Sequence, residues 1–196
     1  MNISNGWRSM NAGDIGAVKS ISDQAHGSLT EDAEVYAERL ALYPAGCFVL
    51  ERDDQIRGYL ITHPWMAAEP PALNRPLRAI PVEADCYYLH DLALSADMRG
   101  GGEGSAAVRL AVDAARKAGQ GDVLLMAVNG ADAFWKRQGF SDISGMIDDG
   151  KRASYGPGSL FMRLTVEGFD KLSPNGDCVA ENGRKQPSRD QGLQMA

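Results

Sequence analysis

The chain lacks what would tie it to a metal, a disulfide framework, a polyanion or a membrane. Three cysteines, Cys47, Cys86 and Cys178, are spread over 196 residues without a CxxC pair. That usage fits a reducing compartment and excludes both a disulfide scaffold and a cysteine zinc cluster. The three histidines, His26, His63 and His90, are equally scattered, and no metal site is expected. There is no Lys/Arg run and the formal net charge is −6, a poor match to a phosphate backbone, so nucleic acid is not an expected partner. No apolar run reaches the roughly 18 residues of a bilayer span. The opening "MNISNGWRSMNAGD" lacks the basic-then-apolar order of a secretion signal. These absences together predict a cytoplasmic protein that does not associate with membrane.

What remains is an ordinary globular composition, 44% hydrophobic and 23% charged, long enough to bury one core. Residues 1–171 read as one domain. From Leu172 the sequence "SPNGDCVAENGRKQPSRDQGLQMA" is rich in turn formers and poor in large apolar residues, which predicts a flexible tail over 172–196.

Periodicity supplies the elements. Ile15, Val18 and Ile21 fall on one helical face, predicting a helix over about 12–25. A second helix follows, with Ala33, Tyr36, Ala37 and Leu40 at helical spacing, Thr30 placed to cap it and Pro44 to stop it. Residues 46–52 and 55–62 read as a hairpin turning at Asp53-Asp54, and "CYYLHDLAL" (86–94) as a buried strand. Strands over 122–128 and 159–166 flank a short helix, "ADAFWKRQ". Between 64 and 85 lies a proline-rich stretch, a length that in a compact domain is usually functional or disordered. The order predicts an α/β fold with a mixed, mostly antiparallel sheet and helices on both faces.

One stretch carries more information than the rest. Between the 86–94 strand and a helix with Val108, Ala111, Val112 and Ala115 on one side stands "RGGGEGS", residues 99–105. The first amides of a helix have no partners within it and carry partial positive charge, so a strand-to-helix corner is an anion site. Glycines there permit φ > 0 and admit a phosphate without a Cβ in the way. Gly100, Gly101, Gly102 and Gly104 therefore read as a pyrophosphate cradle, with Ser105 adding a hydroxyl. No GK[ST] follows, and GxGxxG does not fit, which excludes a P-loop and the dinucleotide fingerprint.

The spacing Arg99-x-x-Gly102-x-Gly104 resembles the signature of the GNAT superfamily of acyl-CoA-dependent N-acyltransferases. The later order Phe134, Trp135, Gly139, Phe140 after a strand strengthens that resemblance, which is strongest over 86–140. It implies the GNAT fold, acetyl-CoA as co-substrate without a metal, and transfer of the acetyl group to a small-molecule or peptide amine. It leaves a homodimer open. Main-chain groups of Leu92, Ala93 and Leu94 would meet the pantetheine as an added strand, Arg99 and residues 100–105 the pyrophosphate, and Asn129 and Trp135 the CoA arm.

The amine must lose a proton before attack, and histidine titrates nearest neutral pH. His90, read as sharing a strand face with Tyr88 and Leu92, is the candidate base; in some members of the superfamily a histidine stands at the matching position. Asp91 is read as facing the other way in a structural role. Two features depart from the family. Trp135 stands where many members have a tyrosine that protonates the thiolate, which an indole cannot do, and Tyr155 is the replacement candidate. Glu103 stands where an uncharged or basic residue is usual, and is expected to point into solvent. The acceptor pocket is expected from 25–40 and 64–85, with Trp65 and Met66 as walls and Glu31, Asp32, Glu34 and Glu38 as a solvated helix start. A non-catalytic acyl-CoA-binding module and a nucleotide binder are the competing readings.

Overall fold

Each long apolar run becomes a central strand, and the chain alternates these with helices. The computed structural model describes residues 6–169; the tail expected from 172, with Cys178, lies outside the described residues. In chain order the elements are β1 (Gly6–Ser9), α1 (Ile15–His26), α2 (Ala33–Leu42), β2 (Cys47–Arg52), β3 (Gln55–Trp65) and β4 (Cys86–Leu94). There follow α3 (Glu103–Lys117), β5 (Asp122–Ala127), α4 (Asp132–Arg137), β6 (Ser141–Asp142), α5 (Asp149–Ala153), β7 (Leu160–Thr165) and α6 (Val166–Phe169). The strands form one seven-stranded sheet in the order β1-β2-β3-β4-β5-β7-β6. Every pairing is antiparallel except β4 with β5.

The two faces are filled differently. On one, Leu60, Leu89, Val123 and Leu125 meet the α3 stripe of Ala107, Val108, Ala111, Val112 and Ala115. On the other, Val49, Tyr59 and Ile61 meet Val18 and Ile21 of α1 and Tyr36 of α2. Neighbours such as Leu60 and Ile61 serve opposite cores because strand side chains alternate. The β2–β3 turn holds Asp53 and Asp54 at φ 52° and 60°, the two left-handed residues that a tight hairpin requires. α3 ends where Gly119 takes φ 72°, with Gly119 and Gln120 amides donating to the Arg116 and Ala115 carbonyls, a glycine stop of the Schellman type.

Two differences from the sequence reading concern the site. Thr30 does not cap α2, which begins after Asp32; its hydroxyl donates instead to Asp23 at 2.8 Å and lies 2.9 Å from the Ser22 hydroxyl. The second lies in β4. Ile61 pairs with Asp91 and Thr62 with Leu89, so His90 has no partner on β3 and forms a β-bulge. One extra residue breaks the period of two, and from that point the faces of β4 are exchanged relative to simple alternation.

β4 and β5 also part company early. Their parallel pairing covers only Tyr87 with Val123 and Tyr88 with Leu124, while both strands continue. Beyond these pairs the β5-facing edge of β4 is uncovered.

Candidate active site

The divergence of β4 and β5, the glycine corner, the end of α1 and the segment that follows it enclose a cavity of about 720 Å³. Its floor is the free stretch of β4, 89–94, and its far side comprises Leu125 and Met126 of β5 with Val128 and Asn129 after it.

At one end stands the glycine corner. Gly100 and Gly102 take φ 83° and 90°, values that a Cβ would strain. Gly102 is the N-cap of α3 and supplies no side-chain cap. Among the described residues the amides of 100–105 donate to no protein acceptor. They form, with the helix dipole, a ready anion site. Gly104 is required by proximity: a Cβ there would stand 2.9 Å from Phe134. Arg99, Gly100, Gly102, Gly104 and Ser105 line the cavity, while Gly101 and Glu103 do not.

Glu103 is a correction. Its carboxylate is not in solvent: it accepts from the Trp7 indole at 3.1 Å and pairs with Arg52. Trp7 sits on β1, a four-residue strand too short to show in the sequence pattern, so its use as an anchor for the start of α3 was not foreseen. Trp135 is 7% exposed, packed edge-on to Phe134 and Phe140. It touches the cavity wall but belongs chiefly to the α3-side core. Asn129, held at φ 53°, lies at the cavity edge. Sequence reasoning missed Arg109 and Arg137, which line the same region; single arginines on exposed helix faces give no signal of their own.

At the other end the bulge sets the chemistry. His90 Nε2 lies 2.7 Å from Glu31 Oε2, with both side chains at most 5% exposed. Glu31 Oε1 accepts the Asn74 amide at 2.7 Å. Burial would push the Glu31 carboxyl up, but the His90 ring, its hydrogen bond and the Asn74 amide hold it below its usual range. Glu31 is therefore no solvated helix start. Beside this pair Asp91 Oδ1 lies 2.8 Å from His26 Nε2, and Asp91 Oδ2 accepts the Tyr59 hydroxyl at 2.7 Å. Burial opposes the charge of both partners; their mutual attraction overrides it, raising His26 and lowering Asp91.

Asp91 was read as facing away from His90, and Leu92 as facing with it. The bulge reverses both: His90 and Asp91 point to the α1/α2 side, and Leu92 packs toward α3. The histidines, scattered in sequence, also converge. The His63 ring lies 5.6 Å from that of His90, is 1% exposed with Nε2 unpartnered, and burial pushes it down to about 3.

Pro71 and Leu73 of the proline-rich stretch line this end, with Ala25 and Leu29 opposite. Trp65 and Met66 do not. Tyr155 does, but its hydroxyl donates to the Pro71 carbonyl and burial raises it above its ordinary value. Its proton is thus directed at the Pro71 carbonyl.

These features coincide with what comparison to other proteins finds. Residues 17–140 match the model of the Acetyltransferase (GNAT) family, and the chain belongs to that family of acyltransferases. No curated protein matches it. Among solved structures it is similar to Ard1 from Thermoplasma volcanium, at 16% identity and TM-score 0.60, over 83% of this chain and 98% of that one. It is also similar to Rv2747 from Mycobacterium tuberculosis in complex with CoA and NLQ, at 19% identity and TM-score 0.58, over 81% and 98%. A third is the ribosomal-protein-S18-alanine N-acetyltransferase from Escherichia coli, at 19% identity and TM-score 0.56, over 83% and 94%. At such identities the likeness is one of fold.

Proposed function

We propose that the protein transfers an acetyl group from acetyl-CoA to a primary amine by direct attack in a ternary complex. The observation that carries this reading is a single cavity with unpartnered helix-start amides at one end and a buried His90–Glu31 pair at the other. The co-substrate fits the first end: free amides and Arg99 suit a pyrophosphate, and the uncovered edge of β4 at Leu92, Ala93 and Leu94 suits the amides of pantetheine.

At the second end, Glu31 is ionised, so the proton on the His90 ring sits on Nε2 and points at Glu31 Oε2. That leaves Nδ1 as the basic nitrogen, and among the described residues it has no protein partner. This is the orienting logic of a base held by a carboxylate. His90 Nδ1 accepts the proton of the amine, directly or through water. The amine nitrogen then forms a bond to the acetyl carbon, the C–S bond breaks, and CoA leaves as a thiolate that takes its proton from solvent. Main-chain N–H groups of β4 polarise the thioester carbonyl. The cytoplasmic setting is part of the same reading; among the described residues Cys47 and Cys86 are buried free thiols.

Calorimetric titration with acetyl-CoA, with ATP and NAD as controls, tests the first end. Release of free thiol on adding amines tests the second. Selective acetyl-CoA binding without thiol release would replace the reading with that of a non-catalytic acyl-CoA-binding module.

A further inference from the structure

We infer that the acceptor is a small primary amine with an apolar body and no carboxylate, and that neither an acidic amino acid nor a peptide N-terminus is the preferred substrate. This rests on the acetyl-transfer reading. The acceptor end is walled by Leu29, Pro71, Leu73, Tyr88 and Tyr155. Its charged groups are Glu31 and Asp91, each already engaged by one histidine, with His26 favoured as a cation by Asp91. Of the cavity's arginines, Arg99 leads into the glycine corner with Nε on the Leu94 carbonyl and its charge reaches His26, Arg109 is on α3, and Arg137 ends α4. An entering ammonium meets two acids. An entering carboxylate meets the same two acids, while the cations beside them, His26 and Arg39, are already paired with Asp91 and Glu38, which is discrimination by repulsion.

The proline-rich wall also disfavours a peptide. A peptide docks by pairing its main chain with free main-chain groups, and several of those in and beside this wall are taken. The Pro71 nitrogen carries no hydrogen, and its carbonyl accepts from Tyr155. The Asn74 amide donates to Glu31, the Leu77 and Arg78 amides to Glu38, and the Arg75 carbonyl accepts from Arg39. A peptide laid here would bury polar groups without partners.

The experiment uses the full chain at fixed acetyl-CoA. Thiol release is followed with 2-phenylethylamine and hexylamine against glutamate and a pentapeptide with a free N-terminus, and acetyl-CoA binding is measured on the same preparation. The expected result is kcat/KM about a hundredfold higher for the two apolar amines. In Leu73→Arg, which places a cation on this wall, the preference over glutamate narrows about tenfold. Equal or better turnover of glutamate or the peptide, with acetyl-CoA bound, overturns the substrate class and leaves acetyl transfer standing. Binding with no amine consumed overturns both in favour of a binding module. Absence of acetyl-CoA binding removes the transfer reading itself.

Discussion

The two ends of the cavity do their work with different parts of the chain. The glycine corner offers main-chain amides, presented by residues consecutive in sequence, and nothing in its cradle needs to titrate. The acceptor end offers side chains, His26 and Glu31 from one side and His90 and Asp91 from the other, joined in two hydrogen-bonded pairs. A main-chain site is sensitive to backbone shape and indifferent to acidity; a side-chain site is the reverse. Substitutions at the two ends should therefore separate cleanly, affinity for the co-substrate at one and rate and pH response at the other.

The largest effect is expected at His90. His90→Gln should lower kcat about 10²–10⁴-fold while the acetyl-CoA Kd stays unchanged; an unaltered kcat would remove the base assignment. Gly104→Val is the counterpart. Its Cβ would start 2.9 Å from Phe134, crowding the cradle. Calorimetry should show acetyl-CoA affinity reduced about 10–100-fold with the pH profile of kcat preserved. A shifted profile would mean that the ends are coupled.

A third prediction uses His63, buried neutral and pushed down to about 3 from 6.5. Below pH 6.5 the unfolded chain takes up a proton that the folded chain refuses, so stability falls as pH falls, by about 1.4 kcal/mol per unit. His63→Phe should flatten that slope in denaturant titrations run between pH 6.5 and 5. The neighbouring groups act elsewhere: Glu31 and Asp91, held low, lose their contribution only as pH drops through their folded values. That of His26, held high, is complete below 6.5 and lost as pH rises through its folded value. A slope unaffected by the substitution would locate acid sensitivity in the carboxylates instead.

The smallest effect is expected at Glu103. Bound to Arg52 and Trp7 at the edge of the corner, it serves the start of α3. Glu103→Gln should cost about 0.5–1 kcal/mol in unfolding free energy and leave acetyl-CoA affinity unchanged. Tighter binding would show instead that this carboxylate repels the phosphates.

How much could be read beforehand follows the same division. β4, the hairpin and the glycine corner are local patterns, and their residues agree with the structure to within a few positions. The GNAT family followed from the corner and the aromatic residues after β5. The acceptor end was only partly legible because it is assembled from residues 26, 31, 71, 73, 90 and 155, brought together by tertiary packing. Glu31 looked like one acid among four at a helix start, and only burial distinguishes it. β1 is too short for periodicity. The bulge was invisible for a deeper reason: a rule of alternation assigns every residue a face and has no place for one extra.

That extra residue has a consequence for how such a chain tolerates insertion and deletion. Elsewhere in a central strand, losing one residue turns every following side chain to the wrong face. At His90 the loss would instead restore an unbroken β3–β4 ladder, since Leu89 and Asp91 already face successive β3 partners, Thr62 and Ile61. The sheet has thus a seam at which a single residue can be added or removed without turning the side chains of either core to the wrong face.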